Sequence, residues 1–380
     1  MSKRIRSKRF KSKKAKSKNA KSKRDYKKTM NKKSMNKKSM NRRRKNKIKK
    51  INKGGSSVIG QGAYGTVELD AQSVSGYSRK ACFARKIAKR DLTPDENGAF
   101  AREFKILKRM DHPNIVKVFR MGEGEGLYFY LEFCNAGDLS HYIKNGQAQV
   151  NDGCLEDSNG FAGEIIGGGY KTMDTDQKFF VIQGILKGLK YIHANEYIHC
   201  DIKPGNILLT YNSDRRHNYK FTPKIADFGL AARSGDKKAG TNRYIPFECL
   251  VHTRTTQDFW GCGMTILEFI TMNQDISWKY YLCLSTNRKH IDFGKLTQWG
   301  ADLLTTLADA GRVHDLGRDL RNCFAQLLLI PTSTELANYD ITINGGKIKW
   351  DEFDNTNVYG YYADIRYEAY DELCRLYDAR

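Results

Sequence analysis

The segment Tyr197-Ile-His-Cys-Asp-Ile-Lys-Pro-Gly-Asn-Ile-Leu-Leu209 carries polar side chains whose spacing fits a single kind of chemistry. A lysine follows Asp201 by two residues, and an asparagine follows it by five. A carboxylate can accept the proton of an attacking hydroxyl, an ammonium group can steady a moving phosphate, and an amide oxygen can bind Mg²⁺. The apolar residues 207–209 predict a short strand that fixes the loop. Asp201, Lys203 and Asn206 can therefore serve a phosphoryl transfer, but a single segment of this kind can arise by chance, so the order of the other motifs decides.

Glycines recur upstream in Gly60-Gln-Gly-Ala-Tyr-Gly-Thr-Val67. Because glycine has no side chain, backbone N–H groups of such a segment can approach a triphosphate closely. Apolar residues on both sides predict paired strands, whereas the turn of a dinucleotide-binding fold would lead into a helix. On this motif alone, an ordinary glycine-rich hairpin remains an open alternative.

A strand and a helix are predicted next. Residues 81–87 predict a strand that carries Lys86, and its place after a phosphate loop favours a phosphate contact over a solvated edge position. Thr93-Pro-Asp-Glu96 has the N-cap, proline and glutamate of a helix start. Glu103 lies beside an apolar face whose members recur at three- and four-residue spacing, namely Phe100, Phe104, Leu107 and Met110.

The triplet Asp-Phe-Gly occurs twice, beginning at Asp227 and at Asp292. The first follows a short predicted strand just downstream of residues 197–209, so its carboxylate can complete a magnesium site with Asn206. The second has no such context, and we assign it no function.

Positive charge is concentrated at the amino terminus. The 380 residues carry a formal net charge of +24, and residues 1–50 hold 26 of the 66 lysines and arginines but one of the 42 acids, Asp25. Ser-Lys recurs every five residues from Ser2 to Ser22, a period that fits neither helix nor strand. Because dense like charge opposes folding, we predict a disordered basic arm over residues 1–53.

Three functions are open for this arm: a tether to nucleic acid or another polyanion, a nuclear address, or a solvated tail without a partner. The runs of basic residues, such as 42–45, fit either of the first two. Phe10 and Tyr26 are its only aromatic residues, so base stacking is not expected. Its serines are also candidate phosphate acceptors.

The cysteines and the apolar residues limit the classes of protein to which the chain can belong. Nine scattered cysteines without a C-x-x-C pair argue for a reducing compartment and against a zinc site or a disulfide framework. No run approaches the roughly 18 apolar residues of a membrane span, and no secretory signal follows the basic start. We therefore expect a soluble intracellular protein, which the arm could associate with the nucleus or with nucleoprotein.

In their order and spacing, these motifs resemble those of eukaryotic Ser/Thr protein kinases. The resemblance covers roughly Val58 to Met272 and includes Asp258-Phe-Trp-Gly-Cys-Gly263. It implies an α+β, bilobal protein-kinase-like fold with a small β-rich N-lobe and a mainly helical C-lobe. The implied divisions are the arm at 1–53, a kinase domain at 54–330 (N-lobe about 54–133, C-lobe about 138–330, inserted loop 145–174) and an acidic, Tyr-rich C-terminal extension at 331–380. Residues 274–380 are either extra helices of the C-lobe or a separate appendage.

The resemblance also assigns residues to an active site that binds ATP and Mg²⁺. It implies that Asp201 orients the substrate hydroxyl, that Lys203 and Lys86 neutralise phosphate charge, and that Asn206 and Asp227 bind the metal. The implied contacts to ATP or its binding groups are Gly60, Gln61, Gly62, Ala63, Tyr64, Gly65, Val67, Ala84, Lys86, Glu103, Leu131, Glu132, Cys134, Asp138 and Leu208.

Several of these residues have more specific implied functions. Glu103 would pair with Lys86, and Leu131 would be the gatekeeper before a hinge, residues 132–134, whose backbone meets the adenine. Asp138 would contact the ribose or an arginine of the substrate. Thr241 would lie against the side chains of the catalytic loop, and Asp258 would hold its backbone.

The chain departs from the family pattern at three places. Cys200 replaces an arginine and lacks the planar cationic fork that binds a phosphate on the segment 227–248, so we expect activity without phosphorylation there. Gly205 replaces an acid found in many basophilic kinases, which leaves a preference for basic substrates open. Pro-Phe-Glu248 replaces Ala-Pro-Glu, and the usual arginine partner of Glu248 is not evident; Arg318 and Arg321 are candidates.

The implied function is an ATP-dependent Ser/Thr protein kinase that acts as a monomer on protein substrates. No membrane is expected among its partners. All four residues whose loss usually marks an inactive relative are present, namely Lys86, Asp201, Asn206 and Asp227. The alternative is a catalytically weak kinase-fold scaffold that binds nucleic acid or nucleoprotein. A kinase of small molecules is disfavoured, because residues 240–248 resemble a shelf that binds peptides.

Overall fold

Five strands form an antiparallel sheet in the first part of the described chain. In the computed structural model they are Ser57–Gln61 (β1), Gly65–Ser73 (β2), Lys80–Ala88 (β3), Val118–Glu123 (β4) and Leu127–Glu132 (β5). Their order across the sheet is β1-β2-β3-β5-β4. The register places Val67 opposite Lys86 and Ala84 opposite Leu131, so four residues predicted to meet the nucleotide lie on adjacent strands.

The structure describes residues 57–62, 65–73, 80–89, 92–123, 126–151, 154–155, 169–212, 219–236, 239–249, 252–284, 290–313, 317–338, 341, 343, 346–349 and 356–379. The predicted arm, much of the predicted insert, and Ala63 and Tyr64 lie outside the described residues.

Helix α1, Pro94–Leu107, packs against the sheet and begins at the predicted capping box. The Thr93 N–H donates to Glu96 Oε2 (2.8 Å), and the Glu96 N–H donates to Thr93 Oγ1 (3.3 Å). Phe100 is fully buried, with its ring 4.8 Å from that of Phe129 on β5. Glu103 is also buried, and a carboxylate in such a position needs a partner of opposite charge.

The remainder of the described chain is mainly helical. Its helices are Leu139–Asn145 (α2), Thr175–Ala194 (α3), Thr255–Thr271 (α4), Asp275–Tyr281 (α5), Phe293–Val313 (α6), Arg318–Leu327 (α7), Ser333–Asn338 (α8) and Thr356–Asp378 (α9). The central α4 is buried from Thr256 to Phe269. The predicted α+β, two-lobed fold is confirmed: we call the sheet with α1 the N-lobe and the helical part the C-lobe.

Short strands complete the fold. They are Ala148–Val150 (β6), Cys154–Leu155 (β7), Gly169–Lys171 (β8), Ile207–Tyr211 (β9), Phe221–Ile225 (β10), His290–Asp292 (β11) and Lys347–Lys349 (β12). β6 pairs with β8, β9 with β10 and β11 with β12, whereas β7 adds to β3 in parallel. The β9–β10 pair matters most for function, because residues 197–206 lead into it and Asp227 follows it.

Two local predictions are wrong in part. The apolar run Ile115-Val-Lys-Val-Phe119 predicts a strand, but the strand begins only at Val118, because Ile115 pairs instead with Ile225 in an isolated bridge to the C-lobe. Residues 145–174 were predicted to be a loop, yet they contribute β6, β7 and β8. Strands of two or three residues are too short to show the alternation that a sequence pattern needs.

One cysteine departs from the expectation of unpaired thiols. Cys82 on β3 is disulfide-bonded, while seven other cysteines are free and buried. Spacing along the chain could not predict this pairing, because the fold decides which thiols meet. None of the helices in the described part of the chain is long and apolar enough to cross a bilayer.

Helix α9 supplies the partner of Glu248, and the partner is Arg366 rather than Arg318 or Arg321. Arg366 Nε donates to Glu248 Oε1 (2.6 Å) and Nη2 donates to Oε2 (3.1 Å), with both side chains fully buried. The guanidinium also donates to the carbonyls of Leu327 and Leu329 and lies 4.8 Å from the ring centroid of Trp260. The C-terminal helix is thereby tied to the segment that ends at Glu248.

We predict that Arg366→Met destabilises the protein by about 3–5 kcal/mol, because it leaves the Glu248 carboxylate buried without its cation. The matched control is Arg375→Met in the same helix, whose ion pair with Glu372 is exposed and whose loss should change stability by about 0.5 kcal/mol or less. Urea unfolding of both variants measures the difference. Equal losses would show that the Arg366 pair contributes no more than a surface contact.

Candidate active site

Lys86 on β3 lies between two carboxylates from different parts of the fold. Its Nζ donates to both oxygens of Glu103 (2.7 and 2.8 Å) and to Oδ1 of Asp227 (2.9 Å). Glu103 belongs to α1, and Asp227 follows β10 with a left-handed backbone (φ 66°), a conformation that aspartate tolerates better than most residues. The ion pair implied for Lys86 and Glu103 is present, and Asp227 extends it into the C-lobe.

Lys86 stabilises the ionised form of Asp227, whereas at Glu103 burial outweighs Lys86 and raises the pKa of the carboxyl group. Lys86 and Glu103 are 6% and 1% exposed, so neither side chain can rely on water for solvation. Burial acts to lower the pKa of Lys86, but the two carboxylates outweigh burial and raise it. Burial acts to raise the pKa of Asp227, but the Lys86 ammonium outweighs burial and lowers it. At neutral pH the cluster therefore presents a cation and an ionised carboxylate side by side.

The glycine-rich segment includes the end of β1 and the start of β2, as predicted. The Gly62 N–H donates to the Gly65 carbonyl (2.8 Å). Gly65 lies so close to the Ile87 carbonyl that a Cβ would stand 2.5 Å from its oxygen, so a side chain is excluded there. The other predicted residues of the turn either belong to β1 (Gly60, Gln61) or lie outside the described residues (Ala63, Tyr64).

The segment between the lobes, residues 132–138, is held by contacts to both lobes. The Glu132 N–H donates to the Lys117 carbonyl, and the Glu132 carboxylate pairs with Lys224 of β10 (2.7 Å), so this side chain holds the hinge in place. The Cys134 N–H has no hydrogen-bond partner in the part of the chain that the structure describes. Beside it, Asp138 pairs with Leu208 of β9 in an isolated bridge and caps α2 through His141 N–H (2.8 Å).

Asp201 is the centre of a second polar cluster. Its Oδ2 accepts from Lys203 Nζ (2.6 Å) and Asn206 Nδ2 (2.9 Å). Its Oδ1 accepts from both the N–H (2.9 Å) and the hydroxyl (2.7 Å) of Thr241. Lys203 also donates to the Thr241 hydroxyl (2.9 Å), which confirms the expected contact of Thr241 with these two side chains. The carboxylate is 4% exposed and held in one orientation by these donors.

The backbone of the catalytic loop, residues 197–206, is held from below by α4. Asp258 accepts from His199 N–H (2.7 Å) and Cys200 N–H (2.9 Å), which confirms its predicted role. The His199 ring lies between two parts of the site: Nδ1 accepts from the Asp201 N–H (3.3 Å) and Nε2 is 3.0 Å from the Ala226 carbonyl. These bonds assign the ring proton to Nε2.

The residues predicted to bind Mg²⁺ fit that ion. Asn206 uses its amide nitrogen on Asp201, which leaves its amide oxygen as a ligand. Asp227 uses Oδ1 on Lys86, and its side chain is 44% exposed. The Ala226 N–H donates to the Asn206 carbonyl (2.9 Å), so the two ligand-bearing segments are neighbours. Mg²⁺ commonly takes one or two protein oxygens and completes its shell with phosphate and water.

The segment after Thr241 is fixed by a buried acid that the sequence did not reveal. The Tyr244 hydroxyl donates to Glu268 Oε2 (3.0 Å), and the Ser277 N–H donates to Oε1 (3.2 Å). Burial raises the pKa of Glu268 to about 7. These bonds join residues 240–248, the predicted peptide-binding shelf, to α4 through Glu268 and to α5 through Ser277.

Sequence reasoning also missed Gln257, which precedes Asp258 on α4. Its amide nitrogen donates to the carbonyls of Cys200 (2.5 Å) and Ala239 (2.7 Å). The available signal was a polar side chain next to Asp258 in a largely apolar helix, because such a side chain must find hydrogen-bond partners when buried.

Comparisons with known proteins match the part of the chain that holds these residues. The family model for the protein kinase domain matches residues 55–279, more than half of the chain. A probable serine/threonine-protein kinase of Dictyostelium discoideum is 28% identical over 222 residues, which are 56% of this chain and 29% of that relative.

Two other relatives show the same partial coverage. The serine/threonine-protein kinase pakF of Dictyostelium discoideum is 27% identical over 219 residues, 55% of this chain and 16% of that protein. A mitogen-activated protein kinase homolog of Nicotiana tabacum is 26% identical over 227 residues, 56% of this chain and 51% of that protein. The chain therefore spans about half or less of the length of these relatives.

The two Asp-Phe-Gly triplets provide a matched test of nucleotide binding. Asp227→Asn should remove the thermal stabilisation that Mg·ATP gives the wild-type protein, because it removes the charged metal ligand. Asp292→Asn should keep it, since Asp292 lies at the β11–α6 junction, where its carboxylate contacts Lys295. Thermal melts with and without Mg·ATP measure the effect. If Mg·ATP raises the melting temperature of Asp227→Asn as much as that of the wild type, Asp227 is not part of the nucleotide site.

Proposed function

The chain belongs to the protein kinase family, and on that premise we propose that it transfers the γ-phosphate of ATP to serine and threonine hydroxyls of proteins. One observation carries the proposal. Lys86 contacts Asp227, Asp227 adjoins the backbone bond from Ala226 to Asn206, and Asn206 contacts Asp201. A continuous chain of contacts thus links the proposed phosphate, metal and hydroxyl sites.

Each residue has a proposed task that follows from its surroundings. Lys86, held on two sides by carboxylates, places a fixed positive charge where phosphate oxygens would lie. Asp201 orients the hydroxyl and accepts its proton, and Lys203 lies 2.6 Å away to balance the charge that develops. Bound Mg²⁺, held by Asn206 and Asp227, would neutralise phosphate charge.

The adenine end of the site is proposed to use backbone and apolar contacts. Val67, Ala84 and Leu131 are brought together by strand register, and Leu208 comes from the C-lobe. The Cys134 N–H can donate to the base, and Asp138 has a second carboxylate oxygen for the ribose or for a substrate arginine. Such a site gains most of its rate from positioning and electrostatics.

A phosphate-transfer assay tests the proposal. The wild-type protein should transfer radiolabelled phosphate from ATP to a generic basic protein, and Asp201→Asn should lower the rate by about 10²–10⁴-fold, because it removes the proton acceptor. The Asp201→Asn variant should keep its stabilisation by Mg·ATP, which shows that it is folded. If the wild type transfers no phosphate and Mg·ATP does not change its melting temperature, the scaffold alternative is supported.

We also propose that the basic arm, residues 1–53, tethers the enzyme to nucleic acid or nucleoprotein. The support is its density of charge: 26 basic side chains in residues 1–50, against a nearly balanced remainder. Binding of this kind releases counterions and depends steeply on salt. A tether of this kind raises the local concentration of substrates bound to the same polymer.

Deletion of residues 1–50 should abolish salt-sensitive retention on DNA and RNA while leaving turnover of a free peptide unchanged. A variant with the same arm residues in shuffled order is the control, and it should bind as tightly as the wild type, because counterion release does not depend on sequence. Retention that survives the deletion would contradict the tether. Loss of retention in the shuffled variant would point to a sequence-specific function instead.

A further inference from the structure

The peptide group of Cys200 is held on both sides by consecutive side chains of α4. Asp258 Oδ1 accepts from the Cys200 N–H (2.9 Å), and Gln257 Nε2 donates to the Cys200 carbonyl (2.5 Å). Cys200 has a φ of 68°, a conformation that a residue with a side chain keeps only when its surroundings impose it. The catalytic loop therefore depends on α4 for its path directly before Asp201.

The same amide nitrogen of Gln257 reaches the segment that follows Asp227. It donates to the Ala239 carbonyl at 2.7 Å, and Gln257 is 1% exposed. The amide oxygen has no partner among the described residues, whereas two carbonyls face the nitrogen. Because an oxygen in that place would face both carbonyls, the contacts fix the orientation of the amide. Gln257 thus bridges the catalytic loop and this segment.

The bridge determines where Thr241 lies. A single residue, Gly240, separates Ala239 from Thr241, and it has a φ of 110°. A Cβ at Gly240 would overlap the Cys200 carbonyl, so the two backbones are in direct contact. With Ala239 and Gly240 fixed, the N–H and hydroxyl of Thr241 both meet Asp201 Oδ1.

Ion pairs hold the two ends of this segment, at Asp227 and Glu248, but several anchors between them are uncharged. Ile198 and Ala232 exchange two backbone hydrogen bonds of 2.9 Å. Gly235 N–H donates to the Thr253 carbonyl (2.9 Å), and Thr253 N–H donates to the Asp236 carbonyl (3.0 Å). The Cys200 thiol lies 3.4 Å from the Ile198 carbonyl and also contacts Ala232 and Thr253. Neutral hydrogen bonds of this kind need no phosphate.

We propose that Gln257 is a positioning residue that holds the catalytic loop and the segment 227–248 in their working arrangement without phosphorylation. The inference rests on the proposed phosphoryl transfer, because its effect on the rate acts through Thr241 and Asp201. Its structural part, the immobilisation of residues 239–241, does not depend on that function.

The test compares two buried glutamines. Gln257→Leu removes the bridge. Gln177→Leu is the control, since Gln177 is also buried and bonds the backbone of Lys220 and Phe221 at the start of β10, with no contact to residues 197–206 or 239–249. Both variants should lose thermal stability, but only Gln257→Leu should lower kcat, by about 10- to 100-fold. Its KM for ATP should stay within about twofold of wild type, because Lys86, Asn206 and Asp227 are untouched.

Two further measurements make the result decisive. Hydrogen exchange of residues 239–245 should be faster in Gln257→Leu and unchanged in Gln177→Leu. Ser234→Ala, which removes a phosphate acceptor from the segment, should keep the wild-type kcat. If Gln257→Leu does not fold, Gln257→Asn replaces it, since the shorter amide cannot reach both carbonyls.

Three outcomes would overturn the proposal: equal loss of kcat in the two leucine variants, unchanged exchange of residues 239–245 in Gln257→Leu, or a large loss of activity in Ser234→Ala. A wild-type protein without transfer activity would instead contradict the proposed function, and the exchange measurement would still test the bridge.

Discussion

The ion pairs of Lys86 are the contacts on which the rest of this structure depends. One ammonium group joins a strand of the N-lobe, the helix that packs on it, and the start of the segment that follows β10. Neither Lys86 nor Glu103 could be buried alone, because an unpaired charge in such surroundings is strongly disfavoured. The same requirement brings the proposed phosphate-binding Lys86 of the N-lobe next to the proposed metal ligand Asp227 of the C-lobe.

A second constraint acts on the backbone. Residues 199–201 follow a path that includes a left-handed Cys200, and this path is held by side chains of α4 rather than by regular secondary structure. Helix α4 is itself the buried centre of the C-lobe, and Arg366 on α9 joins it through the ring of Trp260. The precision of the site around Asp201 is therefore a property of the whole helical core, including a helix far from it in sequence.

The parts that could be predicted are those in which neighbouring residues determine the geometry. The capping box at Thr93, the strand–turn–strand at Gly60–Val67 and the spacing of Asp201, Lys203 and Asn206 all depend on local sequence. Arg366 lies 118 residues from Glu248, and nothing in the intervening pattern marks the pair. The sequence did not predict the role of Gln257, because that role comes from two carbonyls that only tertiary structure brings together. It did not predict the short strand β7 either, because two residues show no periodicity.

The most direct test of this account is a crystal structure of the protein with Mg²⁺ and a non-hydrolysable ATP analogue. It should show phosphate oxygens beside Lys86, the metal bound by Asn206 and Asp227, and Asp201 facing the terminal phosphate. A nucleotide bound elsewhere, or a Lys86 turned away from Asp227 toward a different cavity, would contradict the account.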